Sequence, residues 1–218
     1  MKAWIKKHPF LKNLAISIYM LIRRGEFFFR NLVSSYDRSR LHLGCGVTRL
    51  PEFCNVDVYP TSAVDILDDI SHLRKFQKGS VDLIYSSHVL EHFSTDEVPR
   101  ILKRWFELLK PGGEIRLSVP DIDRIVKIYM TNWDHFQKPG HGPWIGLIYG
   151  GQENQFDFHK TGFNFNWLSH LLQQVGFVGM KEYPHEPVFT SGLKDASLAK
   201  EPFGEYISLN IMAKKPIS

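Results

Sequence analysis

Short runs of apolar and β-branched residues alternate with amphipathic stretches from residue 40 onward, and this alternation limits the fold more than any other feature. Strands that alternate with helices in this way build a parallel sheet with helices packed against it, so the chain is predicted to be an α/β protein. The predicted strands are Arg40–Leu43, Phe53–Val58, Val64–Leu67, Val81–Ser86 and Glu114–Val119.

Two helices are predicted around the fifth strand. Ser94 and Glu97 form a capping box at the start of the first helix, and the Lys-Pro-Gly-Gly segment at 110–113 ends it. Asp121 is a candidate N-cap for the second helix. The residues expected to face the core from the second helix are Ile122, Ile125, Val126 and Tyr129.

The last part of the chain predicts one more helix and an antiparallel edge. The helix carries apolar residues over 167–175 and ends at Gly176. The alternating stretch 206–214 is predicted to be a final strand that pairs antiparallel with 177–183. The segment 186–204 between them is predicted to be a loop insertion.

The first connection in the predicted sheet is unusually short. Ten residues separate Gly46 from Asp57, and they must also supply the second strand, which leaves no room for a helix of ordinary length. The first crossover is therefore predicted to be shortened. Residues 10–35 are a candidate cover for the sheet face that it leaves open.

Residues 1–38 are predicted to be a basic amphipathic arm, and residues 39–218 the main domain. Residues 1–40 carry nine Lys and Arg against two acids, whereas the whole chain has a net charge of +4. The pattern of the arm predicts an amphipathic helix. Three roles are open for it: packing on the protein's own core, binding of a membrane surface through residues 1–35, and binding of nucleic acid. Its apolar residues near helical spacing are Leu11, Leu14, Ile18, Leu21 and Phe29.

The sequence favours a cytoplasmic protein, peripheral on the inner face of the cytoplasmic membrane if the arm binds lipid. The uncharged run over 13–22 is far shorter than the roughly 20 residues that a spanning helix requires, and no small-residue cleavage site follows it. Cys45 and Cys54 are the two cysteines, too few for a disulfide framework.

A glycine loop and an acidic residue follow the first two predicted strands. Gly44 and Gly46 allow backbone amides to approach a ligand closely, and Asp57 at the end of the second strand can accept hydrogen bonds from both hydroxyls of a ribose. Arg49 occupies the position where a dinucleotide-binding loop has its third glycine, which weakens that alternative.

Five motifs in order resemble those of class I S-adenosylmethionine-dependent methyltransferases. They are LHLGCG at 41–46, NVDV at 55–58, the acidic pair at 68–69, VDLIYSSHVLEH at 81–92 and LLKPGGEIRLSVPD at 108–121, and LLQQVGF at 171–177 also fits. The resemblance implies a Rossmann-like doubly wound sheet with an antiparallel last strand. It also implies methyl transfer with S-adenosylmethionine as cofactor.

The resemblance also implies a set of cofactor-binding residues. Gly44, Cys45 and Gly46 would pass beneath the methionine part of the cofactor, and Asp57 would hold the ribose. Asp69 and the amide of Ile70 would meet adenine, with Asp68 as an alternative to Asp69. Ser86 and Ser87 would border the amino-acid end.

The segment 88–92 also matches the HxxEH pattern of zinc peptidases, in which two histidines bind metal from one helix face. It lies at a strand end rather than inside a helix, and no downstream carboxylate motif supplies a clear third ligand. The sequence therefore predicts no metal site and disfavours zinc hydrolysis.

Methyl transfer to a hydroxyl requires a base to remove the proton. Histidine suits this task because its ordinary pKa lies near neutrality, and His88, His92 and His159 are candidates by position. His88 is the first choice because it follows the fourth strand. His159 is predicted to act as base or substrate contact, with Asp121 and Tyr129 nearby.

The segment 149–163, YGGQENQFDFHKTGF, is predicted to be a substrate lid. Its aromatic, amide and acidic groups suit sugar hydroxyls, and it resembles a segment of bacterial methyltransferases associated with surface-glycan assembly. A glycan or lipid-linked sugar is therefore the predicted substrate.

Two other functions are alternatives to glycan methylation: methylation of a quinone-like lipid or other small molecule, and a non-catalytic scaffold that keeps the fold. A nucleic-acid substrate is disfavoured because SSHV at 86–89 stands where an Asn-Pro-Pro-Tyr type motif would be.

Overall fold

The computed structural model describes residues 22, 37–138, 145–152, 156–186, 189, 195–200 and 204–217. The predicted arm lies almost entirely outside these residues, as do parts of the predicted lid and loop insertion. None of the described helices is long and apolar enough to cross a membrane.

Seven strands form one mixed sheet in the order β3-β2-β1-β4-β5-β7-β6. β1 to β5 are parallel, and β7 pairs antiparallel with β5 and β6, which confirms the predicted fold class. The strands are β1 (Arg40–Leu43), β2 (Cys54–Asp57), β3 (Ile66–Leu67), β4 (Val81–Ser87), β5 (Leu109–Pro120), β6 (Val178–Glu182) and β7 (Ser208–Lys214).

The described α-helices follow β4 along the chain. They are α1 (Glu97–Leu108), α2 (Ile122–Thr131), α3 (Trp133–Phe136), α4 (Ile145–Tyr149) and α5 (Phe165–Val175), and two 3₁₀ turns lie at Leu90–His92 and Ala196–Leu198.

One face of the sheet carries the main hydrophobic core. Apolar side chains of β1, β4, β5 and β7 meet the apolar faces of α1 and α5 there, and Trp105 of α1 is fully buried. α5 ends as predicted at Gly176, whose φ of +112° is a left-handed C-cap. Burial of these two helix faces holds β4 and β5 side by side, and so fixes the positions of the loops that follow them.

A polar network replaces a helix in the connection from β1 to β2, where the structure has only turns. The side-chain amide of Asn55 donates to the carbonyl oxygens of Leu50 and Phe53 and to Asp65 Oδ2, and its Oδ1 accepts from the Leu50 amide. Asp65 also binds Arg49 through a 2.6 Å ion pair. The predicted shortening of this crossover is confirmed, and buried hydrogen bonds supply the order that a helix would otherwise give.

The inward face of α2 differs from the prediction. Asp121 caps the helix by accepting from the amides of Asp123 and Arg124, as expected. Val126, however, is 52% exposed, whereas Ile125 and Ile128 are buried. A helix that contacts the body along a narrow stripe buries residues three apart, so the adjacent Val126 points to solvent.

β5 is longer than predicted, because it begins at Leu109 rather than at Glu114. Leu109 pairs with Val81 of β4, and the register shifts between Val81 and Leu83. This shift in register allows the Pro-Gly-Gly segment to remain in β5. α1 ends at Leu108, close to the predicted end of the helix.

Candidate active site

The carboxyl ends of β1 and β4 form the crevice in which the functional residues gather. β1 pairs with β2 on one side and with β4 on the other, so the connections leave these two neighbouring strands in opposite directions. Open parallel sheets bind their ligands at such a switch point. The glycine loop at 44–46 follows β1, and His88 follows β4.

The glycine loop turns sharply and packs closely against the loop after β4. Gly44 has a φ of +69°, and a side chain there would place its Cβ 2.3 Å from Val89 Cγ2. Gly46 has a φ of +54° and nothing within 4 Å of a Cβ position. Glycine is therefore required at 44 by both conformation and space, and at 46 by conformation with open space beside it.

Cys45 points away from that open space. Its side chain is buried against Ala63 and Val64, and burial raises the pKa of its thiol above the ordinary value. Cys45 and Cys54 are both free. The contribution of Cys45 to the loop is thus apolar packing plus a backbone amide that donates to the Val56 carbonyl over 3.3 Å.

Asp57 holds the glycine loop and the end of β2 together. Its Oδ2 accepts from the Gly46 amide at 2.8 Å, and its Oδ1 accepts from the Tyr59 amide at 2.9 Å. Thr61 Oγ1 donates in turn to the Gly46 carbonyl. Each carboxylate oxygen keeps a further lone pair, so Asp57 can accept two ribose hydroxyls while it orders the loop.

The acidic pair after β3 is engaged in local hydrogen bonds. Asp68 accepts from the amides of Asp69 and Lys75, and Asp69 accepts from Ser71 and from His72 Nδ1. Partial burial acts to raise the pKa of Asp69, but these hydrogen bonds outweigh it and lower the pKa. Asp68 and Asp69 therefore both stay alternatives for binding adenine. Ile70 is held beside them by the Trp105 indole, which donates a 2.8 Å hydrogen bond to the Ile70 carbonyl.

The two serines that end β4 are in different environments. Ser86 is buried and its hydroxyl donates to the Leu43 carbonyl at 3.2 Å, which ties β4 to β1. The Ser87 hydroxyl is buried without a hydrogen-bond partner among the described residues. A buried unpaired hydroxyl at the switch point fits a polar ligand group, such as the amino-acid end of the predicted cofactor.

His88 is half-buried and has a strained backbone conformation. Its φ is +54°, unusual for a residue with a side chain, and its Nε2 lies 2.8 Å from Ser208 Oγ on β7. Burial lowers the pKa of His88 to about 4, so the imidazole is neutral at physiological pH. Its role as a base stays a prediction, and its contacts favour a role in positioning the turn that follows.

Glu91 is a functional candidate that the sequence indicated only as part of the disfavoured HxxEH match at 88–92. It is 1% exposed, and neither carboxylate oxygen has a hydrogen-bond partner among the described residues. His88 Nδ1 lies 3.4 Å from Oε1, and burial raises the pKa of Glu91 to about 8. With His88 also neutral, the two groups do not form an ion pair at neutral pH.

His92 and His159 meet beside Glu91 although 67 positions separate them in the sequence. Their rings form an edge contact with centroids 5.0 Å apart, and burial lowers the pKa of both. One donor atom each from Glu91, His92 and His159 lies within 4.8 Å of the others. The predicted role of His159 near substrate stays a prediction, but its neighbours here are Glu91 and His92.

Asp121 has a structural role in addition to its predicted catalytic one. Its Oδ1 caps α2, and its Oδ2 forms a 2.8 Å ion pair with Arg124 Nε. The described hydrogen bonds and ion pairs of Asp121 do not include His88 or His159. A part for Asp121 in catalysis therefore remains a prediction that its contacts do not favour.

The described residues 156–163 of the segment predicted as a lid contact the 3₁₀ turn at Leu90–His92 and the residue Tyr59. The amides of Lys160 and Thr161 donate to the Glu91 carbonyl, and the Phe156 ring meets Tyr59 edge-on at 5.2 Å between centroids. Tyr59, two residues after Asp57, was not singled out from the sequence, although its position beside the predicted ribose-binding acid was a usable signal.

Two surface clefts of about 440 and 530 Å³ lie along α1. Their described linings include Ser71 and His72 at one end and Phe106 and Val175 at the other, but none of the predicted cofactor or catalytic residues. Neither cleft therefore contains a described residue of the predicted site.

Comparisons with known proteins agree with this geometry. A sequence model of a family described as a methyltransferase domain matches residues 20–165. No curated protein sequence matches the chain.

Solved structures share the fold at low sequence identity. An S-adenosylmethionine-dependent methyltransferase from Methanosarcina mazei is 17% identical, with a TM-score of 0.53 over 84% of this chain and 95% of that one. A counterpart from Archaeoglobus fulgidus is 16% identical, with a TM-score of 0.52 over 89% and 93%. A protein described as a possible histamine N-methyltransferase from Thermotoga maritima is 17% identical, with a TM-score of 0.50 over 92% and 94%.

The sheet order, with the glycine loop after β1 and the acid after β2, is that of a class I methyltransferase fold. The family match spans more than half of the chain, so the chain belongs to the methyltransferase-domain family. It is an enzyme whose cofactor is S-adenosylmethionine. The open space at Gly46 and the Ser87 hydroxyl, which has no hydrogen-bond partner among the described residues, fit that cofactor.

Proposed function

We propose that this methyltransferase transfers a methyl group to a hydroxyl of a glycan or lipid-linked sugar. The observation that carries the proposal is the wall of aromatic and polar side chains that the segment 156–163 builds beside the cofactor crevice. Phe156 and Phe158 are 47% and 42% exposed there, next to the partly buried His159. Exposed aromatic faces beside hydrogen-bonding groups suit a sugar, which has both apolar ring faces and hydroxyls.

The cofactor's place in this proposal rests on three residues. Gly46 leaves room for the methionine part of S-adenosylmethionine, and Asp57 accepts the ribose hydroxyls. Ser87 offers the amino-acid end a hydroxyl that has no hydrogen-bond partner among the described residues. When bound, the cofactor supplies an electrophilic methyl group. The chain's own task is then to hold an acceptor oxygen close and in line, which is the main source of catalysis in a displacement of this kind.

The acceptor hydroxyl must also lose a proton, and the cluster of Glu91, His92 and His159 supports that step. Glu91 and His92 lie in the loop that follows β4, and Val89 of the same loop packs against Gly44, so the cluster adjoins the glycine loop. A neutral imidazole can accept a proton, and burial, which lowers the pKa of His92 and of His159, favours the neutral form of both.

The first test is titration of the purified chain with S-adenosylhomocysteine, for the native protein and for Asp57→Ala. Loss of two charge-assisted hydrogen bonds of about 1.5–3 kcal/mol each is expected to weaken binding at least about 100-fold. Asp82→Ala is the matched control, because Asp82 is an exposed acid paired with Lys110 at the amino end of β4. Equal binding by Asp57→Ala and the native protein would remove Asp57 from the cofactor site.

The acceptor class is tested with radiolabelled S-adenosylmethionine and cell extract fractionated into polysaccharide, lipid-linked sugar and free lipid. Label in the sugar-containing fractions, absent with Asp57→Ala, supports the proposal. Label confined to a quinone-like or other free lipid would replace it with the small-molecule alternative. Tight cofactor binding without transfer to any fraction would favour the scaffold alternative.

A further inference from the structure

Glu91 is buried in a manner that a folded chain rarely tolerates without a partner. The side chain is 1% exposed, and neither of its oxygens is hydrogen-bonded within the described residues. A carboxylate in such a place costs several kcal/mol unless a cation or donor compensates it. The backbone around it is well satisfied, because the Glu91 carbonyl accepts from the amides of Lys160 and Thr161. The Glu91 carboxyl group is therefore left without a hydrogen bond among the described residues, with His88 Nδ1 lying 3.4 Å from Oε1.

The two histidines beside Glu91 are oriented as metal-binding histidines usually are. His92 Nδ1 lies 3.2 Å from the Phe158 carbonyl, and His159 Nδ1 lies 3.2 Å from the Leu147 carbonyl. A carbonyl only accepts, so each neutral ring carries its hydrogen on Nδ1 and keeps its lone pair on Nε2. Metal-ligating histidines are held by this same arrangement, in which the other ring nitrogen donates to a carbonyl or carboxylate.

We propose that Glu91, His92 and His159 form a binding site for a divalent transition-metal cation. Two imidazoles and one carboxylate are the donor set of many zinc and iron(II) sites, and they leave coordination positions open for other ligands. The donor atoms of the three residues lie within 4.8 Å of one another. Metal–ligand bonds of about 2.1 Å require donors about 3–3.5 Å apart, so the cluster must contract by roughly 1–1.5 Å around the ion.

The contraction is possible because the histidines come from two separate loops. His92 ends the 3₁₀ turn after β4, and His159 lies in the segment 156–163, so small movements of either loop close the site. Both histidines are partly accessible while Glu91 is enclosed. The ion would therefore lie between the buried Glu91 carboxylate and the crevice. Its open coordination positions would face the crevice that adjoins Gly44.

The role of the ion deepens the proposed function and depends on it. A cation with an open position would bind the acceptor hydroxyl, orient it toward the methyl group and make its proton easier to lose. The oxygen–carbon bond would form as the cofactor's carbon–sulfur bond breaks, and the proton would pass to solvent water, because the imidazole lone pairs are on the ion. The acceptor would then be recognised through oxygen ligands, as in a sugar with neighbouring hydroxyls. Binding of the ion itself does not require that the acceptor be a sugar.

The test uses the full-length chain stripped with a chelator and titrated by calorimetry with Zn²⁺ and, separately, with Co²⁺, whose visible absorption reports its ligands. One equivalent is expected to bind to the native protein. Glu91→Gln and His159→Gln are each expected to weaken binding at least about 100-fold, since loss of even an outer-shell partner costs about 10–100-fold. His170→Gln is the matched control, because His170 is an exposed histidine on α5 outside the cluster.

Equal metal binding by the native protein and by both cluster variants would overturn the inference, as would the absence of binding to the native protein. Circular dichroism and titration with S-adenosylhomocysteine are run on the same samples. If cofactor binding persists where metal binding fails, the metal site alone is wrong. If cofactor binding also fails in the native protein, the proposed function is wrong as well.

Discussion

Gly44 and Gly46 have the same backbone requirement but different surroundings, and the difference can be measured. Both have positive φ, yet a Cβ at Gly44 would meet Val89 Cγ2 at 2.3 Å whereas a Cβ at Gly46 would meet nothing within 4 Å. Gly46→Ala is expected to lower the free energy of unfolding by about 1–2 kcal/mol, the cost of a left-handed residue. Gly44→Ala adds overpacking and is expected to cost about 1–3 kcal/mol more.

Urea denaturation followed by circular dichroism checks this prediction. Gly179→Ala is the control, because Gly179 has a φ of +67° and open space but lies on β6, away from the crevice. Equal losses at all three positions would mean that Val89 moves aside freely. In that case the loop after β4 would not be packed against the glycine loop as tightly as the structure has it.

Residue by residue, the sequence was sufficient wherever a role depends on local pattern. Gly44, Gly46 and Asp57 follow buried strands, and the structure places them together as expected. The cluster of Glu91 and His159 could not be predicted, because it depends on how a loop 68 positions later returns to the end of β4. Burial of Glu91 is likewise a property of the folded chain, and no spacing rule indicates it.

At the scale of elements, α1 supports the turn after β3 through one arginine. Arg104 Nε donates to the His72 carbonyl at 2.7 Å, and its Nη2 donates to those of Leu73 and Phe76. The planar fork of arginine makes several such bonds at once, and lysine cannot reproduce it. Arg104→Lys is therefore expected to lower the free energy of unfolding by about 1–3 kcal/mol and to weaken cofactor binding through the adenine side.

Arg100 offers a matched control one helical turn earlier. It is exposed, and its Nε makes a single 3.3 Å bond to the Asp96 carbonyl. Arg100→Lys is expected to change the free energy of unfolding by no more than about 0.5 kcal/mol. If the two variants unfold at the same urea concentration, α1 does not hold the turn that carries Asp69 and Ile70.

Periodicity predicted the type of each element better than its contacts. The helices after β4 and β5 and the antiparallel last pair are where apolar spacing and turn residues put them. The prediction failed where packing partners decide: Val126 has the right spacing for an inward face, but α2 buries only a narrow stripe. β5 extends past the glycine pair because Val81 offers a pairing partner, and a single strand's sequence does not reveal its neighbour.

At the scale of the whole molecule, charge is separated along the chain. Residues 1–40 hold nine Lys and Arg against two acids, although the net charge of the chain is only +4. A basic amphipathic segment of this kind favours an anionic surface, and a lipid-linked acceptor would be found there. These residues lie almost entirely outside the described part of the structure, so the membrane hypothesis rests on the sequence.

Neutralising the arm tests that hypothesis without shortening the chain. Lys12, Arg23, Arg24 and Arg30 are replaced together by Gln, which removes four charges worth about 1 kcal/mol each near an anionic surface. Partition onto phosphatidylserine-containing vesicles is expected to fall about 100- to 1,000-fold at low salt, and native binding is expected to weaken as salt screens the attraction. The control replaces four exposed lysines of the folded domain by Gln: Lys103, Lys127, Lys138 and Lys181. If both quadruple variants bind vesicles as tightly as the native protein, charge on the arm does not direct the enzyme to a membrane. If both variants lose the same share of vesicle binding, the attraction comes from net charge alone.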